Sequence, residues 1–234
     1  MASCDQGTVF EPVGTRFSID LSGRLLDGRN LDGNGVSGQV AVFAADGRTP
    51  VPIDVDNILE TDSEGRFSGA FEAVLTEPVI LLRASASAPF LTTSKAFELD
   101  GGAVEADLYL SSTLITGHIM DPNGAPAVVD IWVMRDDGTG NFTPYEIAGG
   151  RDFIPPLPPS GVNFAVDSDV LGRFTVPVRI PDATFRLVLV VDRKTDVFES
   201  FLTDIIVTGG QDNMVPNITL QWRGPPASAE GGAP

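Results

Sequence analysis

The sequence predicts an all-β protein with two tandem domains, and three observations support this. Hydrophobic residues make up 42% of the 234 residues, while 25 glycines and 18 prolines divide them into short runs, a combination typical of many short strands. Apolar and polar residues alternate in several runs, which is the period of a half-buried strand, and no window has a sustained helical period. One ordered series of motifs also occurs twice along the chain.

The two ends are predicted to lie outside the domains. Residues 1–16 are predicted to be an N-terminal tether, and residues 223–234, rich in Pro, Gly and Ala, a disordered tail. Ala2-Ser3-Cys4 resembles the end of a bacterial lipobox, although no hydrophobic stretch precedes it. Cys4 is therefore a lipidation candidate, and the alternative is an ordinary cysteine in the tether. It is the only cysteine, so an intrachain disulfide is excluded.

The first domain is predicted at residues 17–110. The sequence TDSEGRF at residues 61–67 reads as a tight turn, because Gly65 can adopt positive φ without steric cost. Phe67 and Phe71 then alternate with outward-facing residues along the next strand. Both are therefore predicted to face the core.

Two further segments of the first domain read as strands. The run at residues 79–82 is apolar on both faces, which indicates a central strand covered on both sides. The run at residues 104–110 alternates and closes the domain. Leu82 and Leu108 are the core residues predicted for these two strands.

The second domain, at residues 111–222, repeats the motifs of the first in the same order. GHIMD at residues 117–121 matches GRLLD at residues 23–27, and the turn at residues 167–174 matches the turn at residues 61–67. The double glycine Gly209-Gly210 likewise matches one at the end of the first copy. The chain is therefore predicted to contain two domains of similar topology.

The boundary between the domains is predicted near residues 110–113, with Ser111-Ser112-Thr113 as a short polar link. Superposed copies should place Gly65 on Gly172 and Phe67 on Phe174. The core residues predicted for the second domain are Phe174, Val188, Val190 and Ile218.

The second copy also has an insertion at residues 139–163 that contains five prolines. Proline lacks a backbone donor for a strand ladder, so this segment is predicted to be a long connection outside the sheets. Its apolar side chains would either pack at the junction of the two domains or contact another chain. The candidate contact residues are Phe142, Tyr145, Phe153, Ile154 and Leu157.

Both copies resemble the carboxypeptidase regulatory-like domain. The resemblance rests on the Gly-x-x-x-Asp opening, a strand ending in Asp-Gly, the TDSEGRF turn, an apolar strand and a closing strand after Gly-Gly. It implies that each domain is a transthyretin-like Greek-key β-sandwich of about seven strands, similar also to bacterial Ig-like surface modules. Domains of this kind resemble spacers, stalks and modules that contact carbohydrate or protein, and they offer no catalytic residues to carry over.

The charge balance excludes nucleic acid as a partner. The chain has 32 acidic and 15 basic residues, a net charge of −17, and both halves are acidic, whereas phosphate contact requires a basic face. No apolar run reaches the roughly 18 residues of a transmembrane helix.

The residues offer little for catalysis or metal binding. His118 is the only histidine, and it is expected to be an exposed strand residue because its repeat equivalent is Arg24. Residues 30–35 have the oxygen spacing of a calcium loop, but Ala41 occupies the closing position, so a solvated turn is favoured. No catalytic, cofactor or metal site is predicted. Calcium binding stays open for one group of carboxylates, namely Asp54, Asp56, Glu60, Asp62 and Glu64.

Together these observations predict a non-enzymatic, extracytoplasmic structural or binding module in the periplasm or at the cell surface. A lipid anchor through Cys4 is a candidate feature, and the expected partner is a protein or a glycan. A virion or other large-assembly component, such as a decoration or fibre protein, is the alternative, suggested by a chain that starts at Met1 without a leader. A glycan-active enzyme that uses carboxylates is the third possibility.

Overall fold

The computed structural model describes residues 14–152, 163–190 and 201–222. All regular structure in these residues is β-sheet, with no helix, so the predicted all-β class is confirmed. The strands form two sandwiches, one on each side of residues 111–113.

Seven strands build the first sandwich: β1 (Thr15–Asp27), β2 (Gly38–Ala44), β3 (Ile58–Glu60), β4 (Arg66–Leu75), β5 (Val79–Ala86), β6 (Thr93–Glu98) and β7 (Ala103–Leu110). They form two sheets with the orders β4-β1-β7 and β3-β2-β5-β6. β7 runs parallel to β1, and the other neighbours are antiparallel. One core lies between the sheets, and Leu21, Val42 and Leu82 are fully buried in it.

The second sandwich contains β8 (Leu114–Met120), β9 (Asp130–Asp136), β10 (Phe142–Pro144), β11 (Arg151–Asp152), β12 (Asn163–Asp167), β13 (Arg173–Pro177), β14 (Ala183–Val190), β15 (Phe201–Val207), β16 (Asp212–Met214) and β17 (Ile218–Thr219). One sheet has the order β11-β12-β9-β14-β15, with β10 also paired to β9. The other has the order β13-β8-β16, with β17 beside β8. Ile131, Phe185 and Leu187 are fully buried between them.

The second sandwich repeats the topology of the first. β8, β9, β12, β13, β14 and β15 occupy the places of β1 to β6, and β16 with β17 occupies the place of β7. The register agrees as well, because Phe67 lies opposite Gly23 while Phe174 lies opposite Gly117. The matching motifs of the sequence therefore correspond to matching places in the fold.

The glycine of each repeated turn has the backbone conformation that the sequence predicts. Gly65 has φ +73° and Gly172 has φ +71°, a region that side chains with a Cβ rarely adopt. A Cβ at Gly65 would also collide with the carbonyl oxygen of Leu25, and one at Gly172 with that of Ile119. Glycine is therefore required at both positions for two reasons, conformation and space.

The burial of the predicted core residues agrees with the alternation in the sequence. Those with described side chains are exposed by 7% or less: Phe67, Phe71, Leu82, Leu108, Phe174 and Ile218. The side chains of Val188 and Val190 lie outside the described residues. The apolar run at residues 79–82 lies in the central strand β5, as predicted.

The insertion at residues 139–163 does not lie wholly outside the sheets. β10 pairs with β9, and β11 pairs with β12. Pro144 is accommodated because β10 is a short strand with a single neighbour, where a missing N–H breaks no ladder. The prediction of a pure connection is therefore wrong for these two strands, while residues 153–162 lie outside the described residues.

The N-terminal boundary also differs from the prediction. β1 begins at Thr15, so the last two residues of the predicted tether belong to a strand, opposite Leu75 and Val74 of β4. Arg16 extends this pairing through an ion pair with Glu72, at 3.1 Å. Residues 1–13 and 223–234 lie outside the described residues.

Candidate functional site at the junction of the two sandwiches

The link between the sandwiches is buried. Ser111 and Thr113 are exposed by 0% and 1%, and a buried hydroxyl or backbone group needs a hydrogen-bond partner. Ser111 Oγ donates to the carbonyl oxygen of Val178 (3.0 Å), and the N–H of Leu91 donates to the carbonyl oxygen of Ser111 (2.9 Å). The link is polar as predicted, but it is fixed to both sandwiches.

The repeated turn of the second sandwich covers the first sandwich. Val170 and Leu171 pack against Leu81 and Ala96, on the outer face of the sheet β3-β2-β5-β6, in a group that we call the junction cluster. Leu81 is completely buried and Ala96 is 3% exposed. This face would otherwise present apolar surface to water, so its burial favours the joined arrangement.

A buried carboxylate adds a polar contact beside the junction cluster. Asp169 is 7% exposed, and its Oδ2 accepts a hydrogen bond from the N–H of Ala96 at 2.7 Å. Its Oδ1 accepts from the N–H groups of Leu171 and Arg173, both at 2.9 Å. Ala96 lies in β6, an edge strand, so Asp169 provides the acceptor that a neighbouring strand would otherwise supply.

The duplication provides an internal comparison for this carboxylate. Asp62, the equivalent residue of the first sandwich, accepts from the N–H groups of Glu64 and Arg66 in the same way. Its second oxygen, however, accepts from Arg66 Nε at 3.0 Å, and Arg66 also forms an ion pair with Glu64 at 2.7 Å. This turn is exposed, and its charged side chains pair with one another. The turn of the second sandwich instead contacts the first sandwich at the junction.

Arg173 consequently differs from its repeat equivalent Arg66. The place of Glu64 is taken by Leu171, and the second oxygen of Asp169 is engaged by Ala96. Within residues 14–152, 163–190 and 201–222, the guanidinium of Arg173 has no carboxylate partner. Arg173 is therefore a half-buried cation at the junction that has no counterion among the described residues.

Two clefts meet at Arg173. The smaller has a volume of about 330 Å³ and runs beside β6 and β7, with Lys95, Asp107, Tyr109 and Gly149 among its walls. The larger has a volume of about 560 Å³ and lies between the end of β6 and the sheet β13-β8-β16. Its walls include Thr92, Ser94, Thr116, His118, Arg173 and Asn217.

The smaller cleft is closed on one side by a tight contact between the sandwiches. Gly149 has φ +68°, and a Cβ there would collide with the Tyr109 ring. Burial raises the pKa of the Tyr109 phenol, and the charge of the Asp107 carboxylate raises it further. Tyr109 therefore stays protonated at neutral pH and acts as a packing group in this cleft.

His118 differs from its sequence expectation. It was expected to be exposed, but it is half-buried, and its Nε2 lies 2.9 Å from the carbonyl oxygen of Leu171. The reason is that the turn containing Leu171 leads into β13, the neighbour of β8, and places its carbonyl oxygen beside the His118 ring. Alternation along β8 does not reveal this tertiary contact.

The predicted partner-contact residues lie in different places. Tyr145 is 4% exposed in the second core, where its hydroxyl accepts from the N–H of Arg179 at 2.8 Å and its ring meets Phe185 edge-on at 4.9 Å. It is therefore unavailable to a partner, contrary to expectation. Phe142 is half-buried under the guanidinium of Arg186, at 3.8 Å.

Phe153, Ile154 and Leu157 lie outside the described residues, as does the lipidation candidate Cys4. The described part of the insertion reaches the junction through Ala148 and Gly149.

Several of the described aspartates accept hydrogen bonds within their own turns. Hydrogen bonds from Thr49 and from the Arg48 N–H lower the pKa of Asp46 to about 2. The Arg29 side chain lowers the pKa of Asp27, which it meets at 2.9 Å through two nitrogens. In the described part of the chain, no three His, Cys, Asp or Glu side chains come together as a metal site would require.

None of the described residues belongs to a helix long and apolar enough to cross a membrane.

Comparisons with known proteins return Gram-positive pilin subunits and cell-adhesion proteins with β-rich folds. A shaft pilin of Lactobacillus rhamnosus GG is 12% identical, with 90% of this chain and 99% of the pilin covered and a TM-score of 0.35. The minor pilin of Streptococcus agalactiae is 11% identical, with 92% and 100% covered and a TM-score of 0.34. A streptococcal ancillary pilin is 16% identical, with 88% of this chain covered and a TM-score of 0.30.

These likenesses are too weak for a function to be carried over to this chain, which also spans only 63% of the streptococcal ancillary pilin. No protein-family model matches the sequence, so the carboxypeptidase regulatory-like resemblance is not confirmed. No curated protein matches it either.

Proposed function

We propose that this chain is a non-enzymatic structural and binding module that works outside the cytoplasm, with domains at residues 17–110 and 111–222. The observation that carries the proposal is the buried junction. Hydrogen bonds of Ser111 and Asp169 and the packing of Leu171 fix one sandwich to the other. Two sandwiches fixed in this way form a spacer that can present a surface at a defined distance and angle.

The use of the polar residues supports a role without catalysis. His118, the only histidine of the sequence, faces the carbonyl oxygen of Leu171 through Nε2. The described Asp27, Asp46 and Asp62 carboxylates accept hydrogen bonds from their own turns. These groups stabilise the loops, as expected of a scaffold.

We further propose that Cys4 anchors the module to a membrane through a lipid, with a protein or a glycan as the partner. The support is the sequence Ala2-Ser3-Cys4, together with the absence of any second cysteine that would form a disulfide. A single acyl chain binds membranes weakly, so stable anchoring implies additional acylation.

Expression of the gene with its natural upstream sequence in its host, followed by metabolic labelling with radioactive palmitate, tests this proposal. We expect label in the wild type, none in Cys4→Ser, and digestion of the wild type by protease added to intact cells. An unlabelled protein that is protected in the cytoplasmic fraction would contradict both the anchor and the location.

A further inference from the structure

We propose that the larger junction cleft binds a saccharide that carries a carboxylate, and that Arg173 receives this carboxylate. The inference deepens the binding role proposed above and rests on it, but it concerns residues 92–94 and the sheet β13-β8-β16, not the anchor.

The positive charge of Arg173 is not balanced by any described carboxylate. Its repeat equivalent Arg66 has two carboxylate partners, Asp62 and Glu64. In the second copy, Leu171 replaces the glutamate and Asp169 bonds to Ala96, so the fork of Arg173 is open in the described structure. The planar guanidinium matches a carboxylate through two parallel hydrogen bonds.

The walls of the larger cleft are rich in hydroxyl groups. Hydroxyl groups come from both sandwiches, and the side-chain amide of Asn217 lies among them. Hydroxyls both donate and accept, which suits a ligand that is itself rich in hydroxyl groups. The hydroxyl residues of the walls are Thr92, Thr93, Ser94, Thr116 and Thr175. The Thr116 hydroxyl donates to Asp212 Oδ1 at 2.7 Å, and Asp212 also lines the cleft, at the far end of the sheet from Arg173.

The same walls also contain apolar side chains. Met214, which is 76% exposed, lies beside Val215, Phe174 and Pro126 in the cleft. A sugar ring has an apolar C–H face as well as polar edges, and small-molecule sites combine apolar walls with a few polar groups that fix orientation. The volume of about 560 Å³ falls in the usual range for such sites.

The charge of the whole chain favours a saccharide with one carboxylate over an acidic peptide. The net charge of −17 repels a partner with many carboxylates. A saccharide with one carboxylate experiences far less of this repulsion and still satisfies Arg173. The buried junction also holds the walls in place before binding, which lowers the entropy cost of binding.

Titration of the purified protein with glucuronate, followed by nitrogen–proton NMR, tests the inference, with glucose as the neutral probe. We expect shift changes at Thr116, Arg173 and Met214, and binding of glucuronate about tenfold tighter than of glucose. Arg173→Gln should weaken glucuronate binding about tenfold and leave glucose binding unchanged. Arg66→Gln, at the equivalent paired position, should change neither.

A second variant tests the cleft independently, in case Arg173→Gln does not fold. Met214→Glu removes an apolar side chain from the cleft wall and adds a negative charge, so it should weaken the binding of both sugars, and that of glucuronate more than that of glucose. Equal affinity for the two sugars, equal effects of Arg173→Gln and Arg66→Gln, or Arg173-dependent binding of a short polyglutamate peptide in place of glucuronate would overturn the inference. The palmitate and protease results are independent of these outcomes, so the two proposals can fail separately.

Discussion

Asp62 and Asp169 occupy the same place in a duplicated turn but have different partners. Each orders its own loop through one oxygen, and they differ in the group that the second oxygen accepts from: Arg66 Nε in one case and the N–H of Ala96 in the other. The second arrangement is buried and joins the two sandwiches. One carboxylate therefore has a local role in one copy and a long-range role in the other.

We expect Asp169→Asn to cost about 2 kcal/mol in the free energy of unfolding, because it removes a buried hydrogen bond to a charged acceptor. Urea unfolding at neutral pH measures this. Asp62→Asn is the matched control, and we expect a clearly smaller loss because that turn is exposed. Equal losses in the two variants would mean that the contact with Ala96 contributes nothing.

Phe67 and Phe174 give a second test at this scale. Both side chains are almost completely buried, at 4% and 3% exposure, and each lies over a glycine of the neighbouring strand. Truncation of either to alanine should cost about 3–5 kcal/mol, measured by urea unfolding. Ser68→Ala, on the exposed face of β4, is the control, and a similar loss there would show that the effect is not due to burial.

At the scale of the elements, the turn that contains Val170 and Leu171 decides whether the sandwiches behave as one unit. The same turn in the first copy has Ser63 and Glu64. We expect the double variant Val170→Ser with Leu171→Glu to separate the two sandwiches, since a charge would replace the apolar contact with Leu81.

Calorimetry and small-angle X-ray scattering measure this separation. One cooperative melting transition in the wild type should become two in the double variant, and the radius of gyration should increase. Ser63→Ala with Glu64→Ala changes the equivalent exposed turn and should preserve a single transition. A double variant that still melts in one transition at the wild-type temperature would refute the role of this turn.

The alternation of residues predicts most strands, but some elements depend on information that the sequence does not contain. Phe67 and Phe71 could be assigned to the core from period alone. The pairing of β10 could not, because the prolines around this segment indicate a loop. Only the fold shows that β12 pairs with the first half of β9 and leaves residues 134–136 free to pair with β10.

The candidate site was the least predictable part. The signal was present, since Val170 and Leu171 replace polar residues in an otherwise matching turn. However, a sequence does not show which surface covers two apolar residues. The open guanidinium of Arg173 depends on the burial of Asp169 against β6, which is a contact between residues far apart in the chain.

At the scale of the whole molecule, the net charge of −17 sets the response to salt. Like charges repel in the compact state, and added salt screens this repulsion. We therefore expect the Tm to rise on the order of a few degrees between about 50 mM and 500 mM sodium chloride. Differential scanning fluorimetry measures this, with an equal osmolarity of sucrose as the control. A fall in Tm would show that attractive ion pairs, such as Arg16 with Glu72, outweigh the repulsion.

The two apolar surfaces that meet at the junction have no apolar equivalent in the described residues of the other copy. Leu81 and Ala96 lie opposite one another under the turn of the second sandwich. The same places in the second sandwich are held by Arg186 and Asp204, which form an ion pair at 2.7 Å. Gene duplication begins with two identical copies, so these surfaces diverged afterwards. Apolar contacts between the sandwiches developed where the copies meet. Charged residues occupy the equivalent positions on the outer face of the second sandwich. Growth by one more copy cannot reuse these apolar contacts, and any further module on either side must be attached through different contacts.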